Sequence, residues 1–155
     1  MTGVQTCALP IYLNEGVAYA KKVGKPILLD FTGWNCANCR KMEENVWNKP
    51  GVYELIRDKY VLISLYTDDK HELKAPYAAY NSKFDGKLKD TEGEMWTDLE
   101  ATFFNKNSQP FYVLLKPDLT LKTNDLKVLN APVAYTPEVE KYKAFLECGL
   151  QKFGE

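Results

Sequence analysis

The sequence predicts an α/β sandwich with a mixed central sheet. Three observations carry this. Apolar, β-branched and aromatic runs at 27–32, 60–66 and 111–115 have the length and composition of buried strands. The stretch between the first two carries apolar residues at helical spacing, so these strands are joined through helices, which favours a right-handed crossover and parallel pairing. The third run is followed by the turn signal Lys116-Pro117-Asp118 and another apolar stretch, which suggests a hairpin.

The elements follow in order. Residues 12–23 predict a first helix, with Leu13, Val17 and Ala20 on one side, Lys21 and Lys22 near its end, and Gly24 as its terminator. After the strand at 27–32, a long helix is expected from about 36 to 48. Cys39, Met42 and Val46 occupy its apolar face, and Arg40, Lys41, Glu43 and Glu44 the other. Pro50 suits the first position of a short helix over 51–59. Residues 67–92 are charged and broken by Pro76 and Gly86, and read as an inserted loop with one helical turn near 77–80. Met95, Trp96, Leu99 and Phe103 form a helical stripe between 94 and 105. A fourth strand is expected within 119–130, interrupted at Thr123-Asn124-Asp125. Thr136-Pro137-Glu138 reads as a helix start, and Val139, Tyr142, Leu146, Leu150 and Phe153 as the buried stripe of the last helix. Trp47 and Trp96 fall on helical stripes and are expected in the core.

The bulk properties narrow the function. A chain of 155 residues, 45% hydrophobic and 13% aromatic, can build one domain with a proper core and does not depend on disulfides for stability. Lys and Arg (20) nearly balance Asp and Glu (21), so the net charge of −1 argues against a nucleic-acid binder. No run of 18 apolar residues is present to span a membrane. Residues 1–11 lack the basic and apolar regions of a secretory signal and resemble a translated sequencing-adapter fragment. They are expected to be a non-native or disordered tail ahead of a domain at 12–155, with the native chain starting upstream and Cys7 carrying no function.

The chemistry concentrates at Trp34-Asn35-Cys36-Ala37-Asn38-Cys39. Gly33 breaks the first strand, and Cys36 falls at the first turn of the next helix. A thiol there faces unpaired backbone N–H groups and the positive end of the helix dipole, and both stabilise the thiolate that performs disulfide exchange. Cys39 lies one turn on, on the same face, and can close a disulfide with Cys36. No histidine or charge lies between the thiols, which favours a reductant or near-neutral exchanger over a strong oxidant. A permanent disulfide or an inert buried pair is the plainer alternative. A structural zinc site would need a second cysteine pair or paired histidines, and the chain has only His71, in a charged segment expected to be solvated. No metal is therefore expected.

Asp30, Trp34, Gln109, Pro110 and Cys148 are the other residues to weigh beside the pair. Asp30 sits in an apolar strand six residues before Cys36, where a buried carboxylate could accept and return protons, unless it faces solvent or caps a loop. Trp34 flanks the thiols and shields them or meets the partner. Gln109-Pro110 precedes the third strand. A proline peptide bond is trans by default; if it is cis, the turn would present backbone near the thiols for an incoming peptide. Cys148 lies off the stripe of the last helix and reads as an inert, buried or half-buried thiol.

The segments KPILLDFTGWNCANCRKMEENVW, YVLISLYTDD, SQPFYVLL and AYTPEVEKYKAFLECGL, in this order, resemble the thioredoxin-like superfamily. More narrowly, they resemble the C-terminal domain of DsbD-type thiol:disulfide interchange proteins of Bacteroidetes-like bacteria. The likeness covers about 12–153. It implies a thioredoxin-like sandwich, with a central mixed sheet of four to five strands flanked by helices and an insertion at about 67–105. It also implies that Cys36 is the attacking cysteine, Cys39 the resolving one, Asp30 the buried carboxylate, and Pro110 a cis-proline opposite the thiols, with Trp34, Gln109 and Pro110 meeting the substrate. The implied function is a protein-disulfide reductase of the periplasm. It would take electrons from a membrane-embedded thiol carrier, the upstream part of the same native polypeptide. It would pass them to periplasmic partner proteins, including those serving cytochrome c maturation and disulfide isomerisation. The domain is expected to be monomeric and to need no cofactor beyond the Cys36–Cys39 couple. The chain departs from the pattern in three places. Gly33-Trp34-Asn35 lacks an acid before the pair, strand 60–66 has no lysine to pair with Asp30, and the insertion is long. A free-standing periplasmic thioredoxin and a non-catalytic thioredoxin-like binding module remain as alternatives.

Overall fold

The computed structural model describes residues 13–118 and 126–155. In chain order they form α1 (Leu13–Val23), β1 (Ile27–Thr32), α2 (Ala37–Met42), a π-helical continuation (Glu43–Trp47), α3 (Val52–Lys59) and β2 (Val61–Tyr66). Then come β3 (Tyr80–Asn81), β4 (Leu88–Lys89), α4 (Glu92–Phe104), β5 (Phe111–Leu115) and α5 (Val139–Phe153). This is a mixed α/β sandwich, as expected.

The sheet order is β2-β1-β5. β1 runs parallel to β2, with Leu29 against Ile63 and Asp30 against Ser64. It runs antiparallel to β5, with Phe31 against Phe111 and Asp30 against Tyr112. All six residues of β1 are buried because the strand is central and both faces are covered. The sheet is therefore three-stranded among the described residues, fewer than the four to five expected. Part of the anticipated fourth strand, residues 119–125, lies outside the described residues. The chain beyond it meets β5 only through isolated bridges, Leu115 to Val128 and Tyr112 to Val133. β3 and β4 form a separate small hairpin within the insertion, in place of the helical turn expected at 77–80.

Side chains alternate across the sheet. The Leu29 and Phe31 face packs against α1 and α4: Gly16 of α1 meets Ile63, and Phe104 of α4 meets Phe31 edge-on at 6.0 Å. The Leu28, Asp30 and Thr32 face packs beneath α2, its π-helical extension and α5. Arg40 reaches Thr32, Trp47 packs 5.9 Å from Tyr112, and Tyr142 of α5 packs 5.2 Å from the same ring. Two junctions fix the layers. Tyr60 donates from its hydroxyl to the carbonyl of Leu146 on α5 at 2.6 Å. Gly93 brings α4 against the turn after β2, its N–H donating to the Asp69 carbonyl at 2.9 Å. A Cβ at Gly93 would lie 2.5 Å from the carbonyl oxygens of both Thr67 and Asp69, so only glycine permits this approach.

Helix ends reflect local chemistry. Gly24, at φ 67°, ends α1. Thr91 and Glu94 cap α4 reciprocally, each accepting from the other's backbone N–H. The last helix starts later than its Thr-Pro-Glu signal implied: Glu138 is the cap residue, and Thr136 donates instead to the Ala134 carbonyl. Cys148 is exposed rather than buried, because it sits off the Tyr142–Phe145–Leu146–Gly149 side that faces the sheet.

Candidate active site

The site sits at the C-terminal end of β1. The strand ends at Thr32, and Gly33-Trp34-Asn35 turns the chain into α2. Asp68, just past β2, braces that turn. Its carboxylate accepts from the backbone N–H groups of Trp34 and Asn35, each at 3.0 Å. A side chain at Gly33 would crowd this carboxylate, whose nearest oxygen would lie 3.2 Å from the added Cβ. Asp68 thus supplies an acid before the thiol pair from another segment, which sequence spacing could not show.

Cys36 occupies the cap position of α2 with extended backbone (φ −87°, ψ 104°). It is joined to Cys39 in a disulfide with a Cα–Cα separation of 5.2 Å. The Cys39 N–H points at the Cys36 sulfur at 3.1 Å. In the reduced protein that donor, with the helix dipole, favours a Cys36 thiolate. Cys36 is half-buried and Cys39 is 1% exposed, so a partner can reach the first sulfur and not the second.

Asp30, 3% exposed, lies on the sheet face under the same helix, within the electrostatic reach of Arg40 and Glu43. The alternatives of a solvent-facing or loop-capping Asp30 are excluded. Its hydrogen-bond partner is Ser64, directly across in β2, whose hydroxyl donates at 2.9 Å. Burial pushes the Asp30 carboxyl up to about 7, with Ser64 and Arg40 opposing and the charge of Glu43 adding to the rise. Arg40 donates to Thr32 Oγ1 at 3.2 Å and to Glu43 at 2.8 Å. Burial also raises the Glu43 carboxyl, against the pull of Arg40. Arg40 and Glu43 are therefore half-buried parts of the site rather than members of a solvated face. Their three-residue spacing on a helix was the available signal.

The remaining predicted residues converge on the same end of the sheet. Trp34 is 54% exposed and stacks on Tyr66 of β2, with ring centroids 3.7 Å apart and planes 20° apart. The Gln109–Pro110 peptide bond is cis. The register that pairs Phe31 with Phe111 carries Pro110 alongside Thr32, at the edge from which the thiol loop emerges. Pro110 is buried and Gln109 half-buried. Glu100 of α4, 0% exposed, accepts from Gln109 Nε2 at 2.9 Å and from the Ser108 N–H at 3.2 Å. Sequence reasoning missed Glu100, since only the tertiary fold brings α4 to this loop. His71 is exposed, beside Asp69, and takes no part in the site.

This arrangement holds an accessible sulfur and a shielded one at a helix start. A buried acid whose carboxyl is raised to about 7 lies under the same helix, and an aromatic platform and a cis-proline segment lie at the same end of the sheet. No helix among the described residues is long and apolar enough to cross a membrane.

Comparison with known proteins agrees with this geometry. A family model described as thioredoxin-like matches residues 8–117. A thioredoxin from Thermus thermophilus superposes with a TM-score of 0.63 at 18% identity, covering 92% of this chain and 86% of that one. A DsbH oxidoreductase superposes with a TM-score of 0.55 at 18% identity, covering 94% and 88%. The C-terminal domain of Neisseria meningitidis DsbD, in its reduced form, gives 0.51 at 14% identity, covering 84% and 87%. A search of curated proteins finds no match. The likenesses to solved structures show the fold, and the family model, spanning most of the chain, shows the kinship: the chain belongs to the thioredoxin-like family.

Proposed function

We propose that this protein is a thiol:disulfide oxidoreductase that reduces disulfides in partner proteins through Cys36 and Cys39. The observation that carries this reading is the asymmetry of the pair. A half-buried Cys36 is closed onto a shielded Cys39 at the start of a helix, with Asp30 buried on the sheet face below.

In the reduced protein the Cys36 thiolate attacks one sulfur of a partner disulfide. A mixed disulfide forms, and the partner's other sulfur leaves as a thiolate that takes a proton. Asp30, poised near neutrality, accepts the Cys39 proton. The Cys39 thiolate then attacks the Cys36 sulfur, expelling the partner's second thiolate and leaving Cys36–Cys39 oxidised. Two electrons have passed to the partner. A dithiol must return two electrons to close the cycle, and the disulfide itself is the only redox group the cycle uses.

The direction is reduction, since Ala37-Asn38 brings no histidine to hold a thiolate in excess. Trp34, Gln109 and Pro110 form the edge on which the partner docks. The DsbD-like sequence blocks, with the fold likeness to a DsbD C-terminal domain, support a narrower reading. In it, a membrane-embedded thiol carrier supplies the electrons, in the periplasm, to a monomeric domain serving proteins of cytochrome c maturation and disulfide isomerisation.

The test is substitution of each cysteine. Cys36→Ser should abolish reduction of an insulin disulfide, and Cys39→Ser should trap a covalent Cys36–partner adduct visible on non-reducing gels. Full activity in Cys36→Ser, or no adduct in Cys39→Ser, overturns the reading.

A further inference from the structure

Outside the thiol pair and Asp30, one more carboxylate is completely buried among the described residues. Glu100 is 0% exposed on α4, and among the described residues it has no ion-pair partner. Burying a lone carboxylate is unfavourable, and burial indeed raises the Glu100 carboxyl to about 7. Its two oxygens are both engaged by one short segment. Oε2 accepts from the Ser108 N–H, and Oε1 from the Gln109 side-chain amide. Both groups are donors, so the site calls for a side chain that accepts twice, which a carboxylate does.

The segment so held leads directly into cis Pro110 and β5, beside the strand end that carries the thiol loop. The Gln109 side chain is drawn inward to Glu100. Among the described residues its backbone N–H and carbonyl have no backbone partner. A main-chain edge of this kind, open and rigidly placed, is what an extended peptide pairs with.

We propose that Glu100 is the positioning residue for partner docking: it anchors Ser108 and Gln109 from below, so that the Gln109–Pro110 main chain is set to receive the extended segment flanking a partner's disulfide. This rests on the reading that Cys36 and Cys39 reduce protein disulfides. Glu100 touches neither sulfur, so its loss should weaken docking of a polypeptide and leave the exchange chemistry intact.

The experiment compares the full chain with Glu100→Ala, Glu100→Met and Glu100→Gln on two substrates. One is insulin, a polypeptide with main chain on both sides of each disulfide that can pair with the edge. The other is 5,5′-dithiobis(2-nitrobenzoate), too small to pair with the edge. Glu100→Ala should raise the KM for insulin about tenfold, the scale of one lost positioned hydrogen bond to a charged group. Its kcat and the rate with the small disulfide should stay within about twofold, and the Cys36–Cys39 reduction potential should not shift. Glu100→Met keeps the volume without the acceptors and should behave as Glu100→Ala, and it decides the matter if the alanine variant does not fold. Glu100→Gln should restore the insulin KM, because its carbonyl accepts from Ser108 and its amide donates to a turned Gln109 side chain. An unchanged insulin KM in Glu100→Met, equal losses on both substrates, or no rescue by glutamine overturns the inference. Wild-type protein that reduces neither substrate sinks the reductase reading itself, whereas wild-type activity with indifferent variants sinks only the role of Glu100.

Discussion

Replacing Asp30 by asparagine removes a carboxylate that the fold buries on the sheet face under α2, while keeping an acceptor for the Ser64 hydroxyl. The folded protein holds the Asp30 proton up to about pH 7, against an ordinary value of 3.8. That difference corresponds to about 4 kcal/mol, at ~1.4 kcal/mol per pH unit. Its sign is fixed by proton counting. Between pH 3.8 and about 7 the folded state binds the proton and the unfolded chain does not, so this group lowers stability steadily as pH rises through that window. Below the window both states are protonated and the penalty is absent; above it the penalty is complete and constant. Asp30→Asn, neutral throughout, escapes it. The oxidised variant should match wild type near pH 3.5 and exceed it by about 4 kcal/mol at pH 8. With a urea m-value of roughly 2 kcal/mol/M for a chain this size, the pH 8 midpoint should rise by about 2 M. Tryptophan fluorescence during urea unfolding at pH 3.5, 5, 6.5 and 8 measures it directly. Equal midpoints at pH 8, a destabilised variant there, or a gap that widens towards acid would refute the reasoning. The same variant should turn over slowly and accumulate the Cys36–partner adduct, since Cys39 loses its proton acceptor; unchanged turnover contradicts that role.

Two further perturbations probe the scaffold. Asp68→Ala removes both 3.0 Å bonds that hold Trp34 and Asn35. It should cost about 1–3 kcal/mol in thermal unfolding and lower kcat/KM for insulin several-fold, because the loop before Cys36 loses its brace; intact stability would show that the brace is idle. Gly93→Ala places a methyl 2.5 Å from two carbonyl oxygens, so urea unfolding should show a loss of about 2–3 kcal/mol or more, and a loss under 1 kcal/mol would contradict the close packing of α4 on the β2 turn.

Much of the fold was legible because its signals are local. β1 and β5 have the predicted bounds, being short apolar runs punctuated by glycine, proline or turn residues. The thiol pair was placed by the strand–glycine–helix context, and Asp30 by apolar neighbours on both sides. The less legible features depend on contacts distant in sequence. Nothing local marks the turn of the helix after Met42 into a π-helical segment. Arg40 and Glu43 read as solvent-facing charges because helical periodicity shows which face is apolar, not how much of the flank a sheet covers. Asp68 accepts from backbone donors 34 and 33 residues away, and Glu100 from one backbone N–H eight residues away and one side-chain amide nine residues away, and no spacing rule names such partners. Cys148 misled because an uncharged thiol near a buried stripe suggests burial, while its angular position on α5 puts it in solvent.

The central claim is that Cys36 and Cys39 form a reversible couple that donates electrons. Equilibrating the protein in dithiothreitol and glutathione redox buffers, then alkylating free thiols and counting them by mass, gives the reduction potential of the pair. The proposed mechanism predicts a two-electron transition well below about −200 mV. A value near −120 mV would make the protein an oxidant, and a bond that never opens across the buffer range would leave it no exchange chemistry at all.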